Sequence, residues 1–309
     1  MEKLFFSDER TTVETDKGPI RGYYYDDLYM FKGVPYAKAE RFKAPEPVSP
    51  WEKALDTTTY GYVCPLLKQE KPSGELLVPH RYWLMDENCQ NLNVWTPGLD
   101  SERRPVIVWL HGGGYESGSA IEHMAYEGEN MSRLGNAVVV SVNHRLNILG
   151  YFDLSPYGEE YRDSANAGGD DIVAALLWIR ENIENFGGDR DNVTLIGHSG
   201  GGGKITALLQ NPAADGLFQK AIIMSGVLPD GLLGTEEGDS RPVVEALLNE
   251  LHLGVKEIGQ LKTMPYARLA EAYNKIRPGI QKKGLYVGCC PKRDKSYYGD
   301  PLYTGFRKE

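Results

Sequence analysis

No apolar run in this sequence comes near the roughly 20 residues that a membrane-spanning helix needs. The N-terminus, Met1-Glu-Lys-Leu-Phe-Phe-Ser-Asp-Glu-Arg10, has only three consecutive apolar residues before charge resumes, far short of a secretory leader. Both absences favour a cytoplasmic protein. Basic residues are in the minority, with 34 Lys and Arg against 43 Asp and Glu, a formal charge of -9 and no Lys/Arg cluster. Such a balance repels phosphate backbones and anionic lipid, which argues against nucleic acid and membrane as partners. Cysteine is scarce: four in 309 residues cannot make a disulfide scaffold. Cys64 and Cys89 flank a charged, proline-containing loop, Lys68 to Met85, and either close it or remain free thiols; a reducing compartment favours thiols. Cys289-Cys290 has no second Cys or His pair nearby at ligand spacing and reads as structural, so neither a metal nor a cofactor is expected.

What is present is a core. At 41% hydrophobic residues the chain can bury a sizeable interior, and a single layered domain over 1–309 is expected. Residues 1–60 read as an antiparallel meander followed by a surface wrap. Thr11–Thr15 and Pro19–Tyr25 form β-type runs about the turn Asp16-Lys-Gly18, and Leu28–Phe31 follows Asp26-Asp27 as a third. The proline-punctuated passage through Trp51 carries dense tyrosines, which read as amphipathic covering groups.

From 105 to 226 buried-strand runs alternate with helical periodicity, the signature of a mostly parallel sheet. The runs are Pro105–Leu110, Ala137–Asn143, Val193–Ile196 and Lys220–Ser225. Between them Ile172, Leu176, Ile179 and Ile183 recur at helical spacing, and Gly187-Gly188 ends that helix. A more polar helical segment, 236–280, reads as a cap over the sheet's C-terminal edge.

Two glycine clusters punctuate the strands. Asn192–Gly203 runs from a β-branched stretch into Gly197-His-Ser-Gly-Gly201 and then into helical composition. That order fits a nucleophile elbow with Ser199 at its tip, although G-x-S-x-G alone fits a glycine-rich loop equally well. His111-Gly-Gly-Gly114-Tyr115 follows the strand Pro105–Leu110. Three glycines there expose backbone N–H groups to an anion or a developing oxyanion. A flexible loop tip needs no such bracketing by His and Tyr.

With these residues in view the chain resembles the type B carboxylesterase family, which includes cholinesterases, within the α/β-hydrolase fold. The resemblance runs from about residue 11 to at least 226. It rests on Phe31–Ala37, Glu87–Val94, His111–Gly114, Val142–Leu146, Asn166–Asp171, Glu181–Asp189, Asn192–Gly201 and Gly216–Gly226, all in the family's order. It implies an acyl-enzyme mechanism on small-molecule esters, with Ser199 as nucleophile and the N–H groups of Gly113, Gly114 and Gly200 as oxyanion donors. Cys64 and Cys89 match the positions of the family's first disulfide. Two positions depart from the pattern: His198 stands where the family usually has Glu, and Gly200 where it usually has Ala. His198 is a poor base for Ser199, since adjacent side chains on so tight a turn project differently.

The acid and the histidine of a triad are expected after the serine in this fold. Beyond Ser199 the sequence holds one histidine, His252, at a helix end, and Glu309 lacks the family's surrounding motif. The expectation is therefore that the strands carrying both groups are absent and that Ala221–Ser225 presents an unpaired edge to a C-terminal complement. Three functional readings follow: a carboxylic-ester hydrolase or its nucleophile-bearing part; a binding or adhesion member without catalysis, against which Ser199 and the triple glycine speak; and an amidase or thioesterase on the same elbow.

Overall fold

The computed structural model describes residues 5–68, 80–226 and 238–292. Its centre is an eight-stranded sheet with the order β1-β4-β5-β7-β9-β8-β10-β11. These strands are β1 Phe5–Phe6, β4 Tyr23–Tyr25, β5 Leu28–Pro35, β7 Asn91–Thr96, β8 Arg104–Leu110, β9 Val138–Val142, β10 Gly188–His198 and β11 Lys220–Met224. A second sheet of three short strands joins β2 Thr12–Thr15, β3 Gly18–Arg21 and β6 Leu55–Asp56.

The large sheet is mixed. β9, β8, β10 and β11 run parallel to one another, whereas β1, β4, β5 and β7 join antiparallel, β7 pairing antiparallel with β9. The N-terminal meander thus gives three of the eight strands of the main sheet as well as a separate hairpin. The run Pro19–Tyr25 divides at Gly22, whose N–H donates to Thr11 O at 3.0 Å, and its two ends join different sheets.

Helices cover the parallel half. They are α1 Glu129–Gly135, α2 Asn147–Tyr151, α3 Ala167–Asn182 and α4 Gly200–Leu208. Val106, Val108, Leu110, Val138, Val140, Val142, Val193 and Leu195 pack with Ile172, Leu176 and Ile179 of α3 in one core. Each such side chain, once removed from water, contributes about 1.5–3 kcal/mol of hydrophobic stabilisation. The β-branched runs supply the flat, two-sided apolar surface that a central strand needs, and the α3 period turns one stripe toward it.

The helical stretch expected over 236–280 forms α5 Arg241–Glu250, a 3-10 segment Val255–Lys262 and α6 Tyr266–Lys282; residues 236 and 237 lie outside the described residues. These elements share a second core with Phe42, Ile148, Phe152 and Tyr161. Arg41 ties them to the body, donating to Leu261 O and Met264 O at 2.6 and 2.8 Å while pairing with Glu87. Among the described residues, no helix is long and apolar enough to cross a membrane.

One expectation is corrected in part. The composition of Lys220–Ser225 reads as a buried strand, yet β11 lies at one edge of the described sheet, where an unpaired edge was expected, and Ile222 and Met224 are 49% and 38% exposed. The apolar composition is that of a central strand. Burial is missing because β11 pairs with β10 alone among the described strands. Cys64 and Cys89 are free thiols, buried in one small apolar cluster. The loop Lys68–Met85 and the tail 284–309 fall partly outside the described residues, as does Glu309.

Candidate active site

Ser199 stands between the end of β10 and the first residue of α4, with φ 54° and ψ -121°. A non-glycine residue with positive φ is strained, by an order of 1–3 kcal/mol, and such strain persists only where the surroundings impose it. Here they do. Ser199 N–H donates to Met224 O of β11 at 2.8 Å, and Gly203 N–H donates to Ser199 O at 3.1 Å, closing the first turn of α4. The turn is also sterically closed. A methyl at Gly201 would lie 2.0 Å from Leu110 O at the end of β8, so only hydrogen permits α4 to start this close to the sheet.

The triple glycine meets this turn. Gly113 and Gly114 have φ of 88° and 64°. A Cβ on Gly200 would fall 2.3 Å from Gly114 N, and one on Gly112 would fall 3.6 Å from Ser199 Cβ. The structure therefore brings together Ser199, Gly200 and the Gly112–Gly114 backbone, as the sequence predicts. The first of these distances also gives a reason for the departure at position 200. An alanine methyl would overlap Gly114, so glycine lets the loop approach more closely than the usual residue allows.

A family model described as the carboxylesterase family matches residues 9–302. The chain belongs to the carboxylesterase family. It is 40% identical over 270 residues to the para-nitrobenzyl esterase of Bacillus subtilis (strain 168), covering 86% of this chain and 53% of that protein. To the phenmedipham hydrolase of Pseudarthrobacter oxydans it is 38% identical over 267 residues, covering 85% and 51%. It thus spans about half the length of these curated relatives. Among solved structures, an esterase from the anaerobe Clostridium hathewayi that can hydrolyse aliphatic aromatic polyesters superposes with a TM-score of 0.95 at 55% identity, over 99% of this chain and 61% of that one. A thermophilic para-nitrobenzyl esterase superposes with a TM-score of 0.83 at 35% identity, over 96% of this chain and 60% of that one. The fold is that of the α/β-hydrolases.

Within this carboxylesterase-family chain, the glycine loop rests on a buried cation that the sequence did not single out. Lys204 Nζ, one turn into α4, donates to His111 O at 2.8 Å, and the residue is 1% exposed. A lysine in a helix ordinarily reads as a solvated side chain, so nothing in the pattern marked it. Beside it the His111 and His144 rings stack at 5.1 Å. Burial, and after it the charge of Lys204, pushes both imidazoles well below their usual range, so both are neutral at pH 7.

Burial lowers the Lys204 ammonium to about 7, against the opposing pull of Glu122 and Cys64. The sign of the linkage follows. The unfolded chain keeps this proton to about pH 10.4, while the folded chain releases it near 7. The penalty for the buried charge is complete below pH 7 and fades as pH rises toward 10. Lys204→Met removes that dependence. In urea melts the variant should be more stable than wild type at pH 6 and less so at pH 9, where the neutral amine still bonds His111 O. Parallel stability–pH curves for the two proteins would contradict this assignment.

Apart from His123, the histidines are bonded elsewhere or exposed. His80 pairs with Glu122 at 2.9 Å, His111 Nδ1 with Gly112 O at 2.8 Å, and His144 Nδ1 with Arg145 O at 2.9 Å. His198 is exposed at the end of β10, and His252 is exposed beyond α5. Among the described residues none of these contacts involves Ser199. A cleft lined by Leu66, Met85, Tyr266 and Asn274 contains neither Ser199 nor Gly114.

Proposed function

We propose that this chain carries the nucleophile and oxyanion hole of a serine carboxylesterase, and that polypeptide docking on β11 supplies the general base and its carboxylate. Ser199 Oγ attacks the ester carbonyl and gives its proton to the base. The N–H groups of Gly113, Gly114 and Gly200 hold the oxyanion, the alcohol leaves with that proton, and water then releases the acid. The observation that carries the reading is the strained serine set directly against the triple-glycine backbone. The exposed apolar edge of β11 supports the docking half, because soluble proteins pair or cover such edges.

The names of the relatives, a para-nitrobenzyl esterase and a phenmedipham hydrolase, direct the substrate class toward carboxylic esters such as those of para-nitrobenzyl alcohol. The test is turnover of para-nitrophenyl acetate by the chain alone and by the chain co-expressed with the C-terminal half of a carboxylesterase relative. Turnover is expected only from the assembly. Enzyme-like rates from the isolated chain would remove the need for a docked base, and an inactive, well-folded assembly would overturn the esterase assignment itself.

A further inference from the structure

Eight residues beyond Gly114, the same loop reaches Glu122-His123, where a third chemistry-bearing side chain arrives from a distant part of the sequence. His80 Nδ1 lies 2.9 Å from Glu122 Oε1, and the His80 and His123 rings are 4.2 Å apart. One ring nitrogen from each histidine and one carboxylate oxygen all fall within 4.8 Å of one another. The side chains of His80 and Glu122 are only 10% and 22% exposed. A plain imidazole–carboxylate hydrogen bond accounts for two of these three residues. It leaves the third unexplained, because His123 Nδ1 is shielded from solvent and has no hydrogen-bond partner among the described residues. A buried ring nitrogen without a partner is costly, and a ligand removes that cost.

We propose that His80, Glu122 and His123 bind a divalent transition-metal ion, with Zn2+ the ion that the donor set favours. Two imidazoles and one carboxylate make a three-ligand zinc set, leaving a fourth position for water. Hard cations such as Ca2+ and Mg2+ take oxygen ligands and are disfavoured by the two nitrogens. Binding requires the three donors, now within 4.8 Å of one another, to close to about 2.0–2.2 Å from a common point. The backbone already holds the two segments in register. Arg81 N–H donates to Glu122 O at 2.6 Å, and the Arg81 guanidinium pairs with Glu127 at 2.6 Å. Tyr126 closes one side, its ring 4.9 Å from that of His123. The ion would therefore clamp the far end of the glycine loop to the segment at His80, fixing the loop without entering the ester chemistry.

The test is calorimetric titration of the chelator-treated full-length chain with Zn2+ at pH 7.5. Saturation at one equivalent is expected, unaffected by excess Mg2+ or Ca2+. His123→Ala and His80→Ala should each weaken binding at least roughly tenfold, and Co2+ bound in place of Zn2+ should give visible absorption that both variants lose. Glu122→Gln serves as a third variant should either alanine disturb the fold as judged by circular dichroism. Absence of saturable binding overturns the proposal. So does stoichiometric binding that survives in the folded histidine variants and disappears on blocking the thiols, since that would place the ion on cysteine.

Discussion

Ser199→Ala should lower kcat/KM for para-nitrophenyl acetate by about 10^5- to 10^6-fold in the assembled enzyme while leaving its melting behaviour unchanged. The magnitude follows from the role proposed for it. A hydroxyl that forms the acyl intermediate has no substitute, and the rate that remains comes from oxyanion stabilisation and substrate positioning alone. The lack of effect on stability follows from the geometry. What holds the turn is backbone: the N–H of residue 199 on Met224 O, the N–H of Gly203 on the carbonyl of 199, and Gly201 against Leu110 O. The hydroxyl makes no helix-capping bond that its removal would break. A variant retaining more than about one per cent of wild-type activity would point to a different nucleophile. A variant that loses activity only because it unfolds would show that the hydroxyl supports the turn after all, and the two results separate on a thermal melt.

The strand–turn–helix at Ser199 was legible because its requirements are local. A β-branched run can only continue as a strand, the glycines at 197 and 201 permit the close packing that follows, and the first turn of α4 begins where the glycines do. The triple glycine after β8 was legible for the same reason. Exposure of β11 was not legible in its own residues, since Lys220-Ala-Ile-Ile-Met224 has the composition of a strand buried on both faces; the edge was expected from the family's strand order and not from composition. The division of Pro19–Tyr25 between two sheets was hidden because a single glycine in a strand reads as a weakness, and only the tertiary path makes it a crossing point. Lys204 and the cluster of His80, Glu122 and His123 escaped for a further reason. Their meaning depends on burial and on contacts between residues far apart in sequence, and a helical lysine or a lone histidine carries neither in its local pattern.

Several of the motifs that mark the family do no chemistry, and the second large effect concerns the pair on which they converge. Arg145 and Asp171 are buried, their side chains 2% and 0% exposed. Two parallel bonds join them, Nε to Oδ2 at 2.9 Å and a terminal guanidinium nitrogen to Oδ1 at 2.7 Å, and the Arg145 backbone N–H reaches Oδ2 at 2.9 Å. The other guanidinium donors go to the carbonyls of Glu40, Lys43 and Ala167 at 3.2, 2.8 and 3.2 Å. Thus Val142–Leu146, Asn166–Asp171 and the N-terminal wrap are held at one point. Burial alone would make the guanidinium easier to deprotonate, but the Asp171 charge and its bonds outweigh it and hold Arg145 firmly charged.

Asp171→Asn keeps the shape and removes the countercharge, leaving a guanidinium in a low-dielectric interior with an amide opposite. Breaking a buried pair in this way costs about 3–5 kcal/mol, because the surviving charge has lost its compensation. The variant should therefore unfold at much lower urea, if it folds at all. Arg145→Met combined with Asp171→Asn should recover part of the loss, since no charge is then stranded, although the carbonyls of Glu40, Lys43 and Ala167 lose their donors. An equal loss in the single and double variants would mean that these carbonyl bonds dominate. A single variant within about 1 kcal/mol of wild type would mean that water reaches the pair, as it does the surface pair Arg162–Glu159, whose side chains are 67% and 84% exposed.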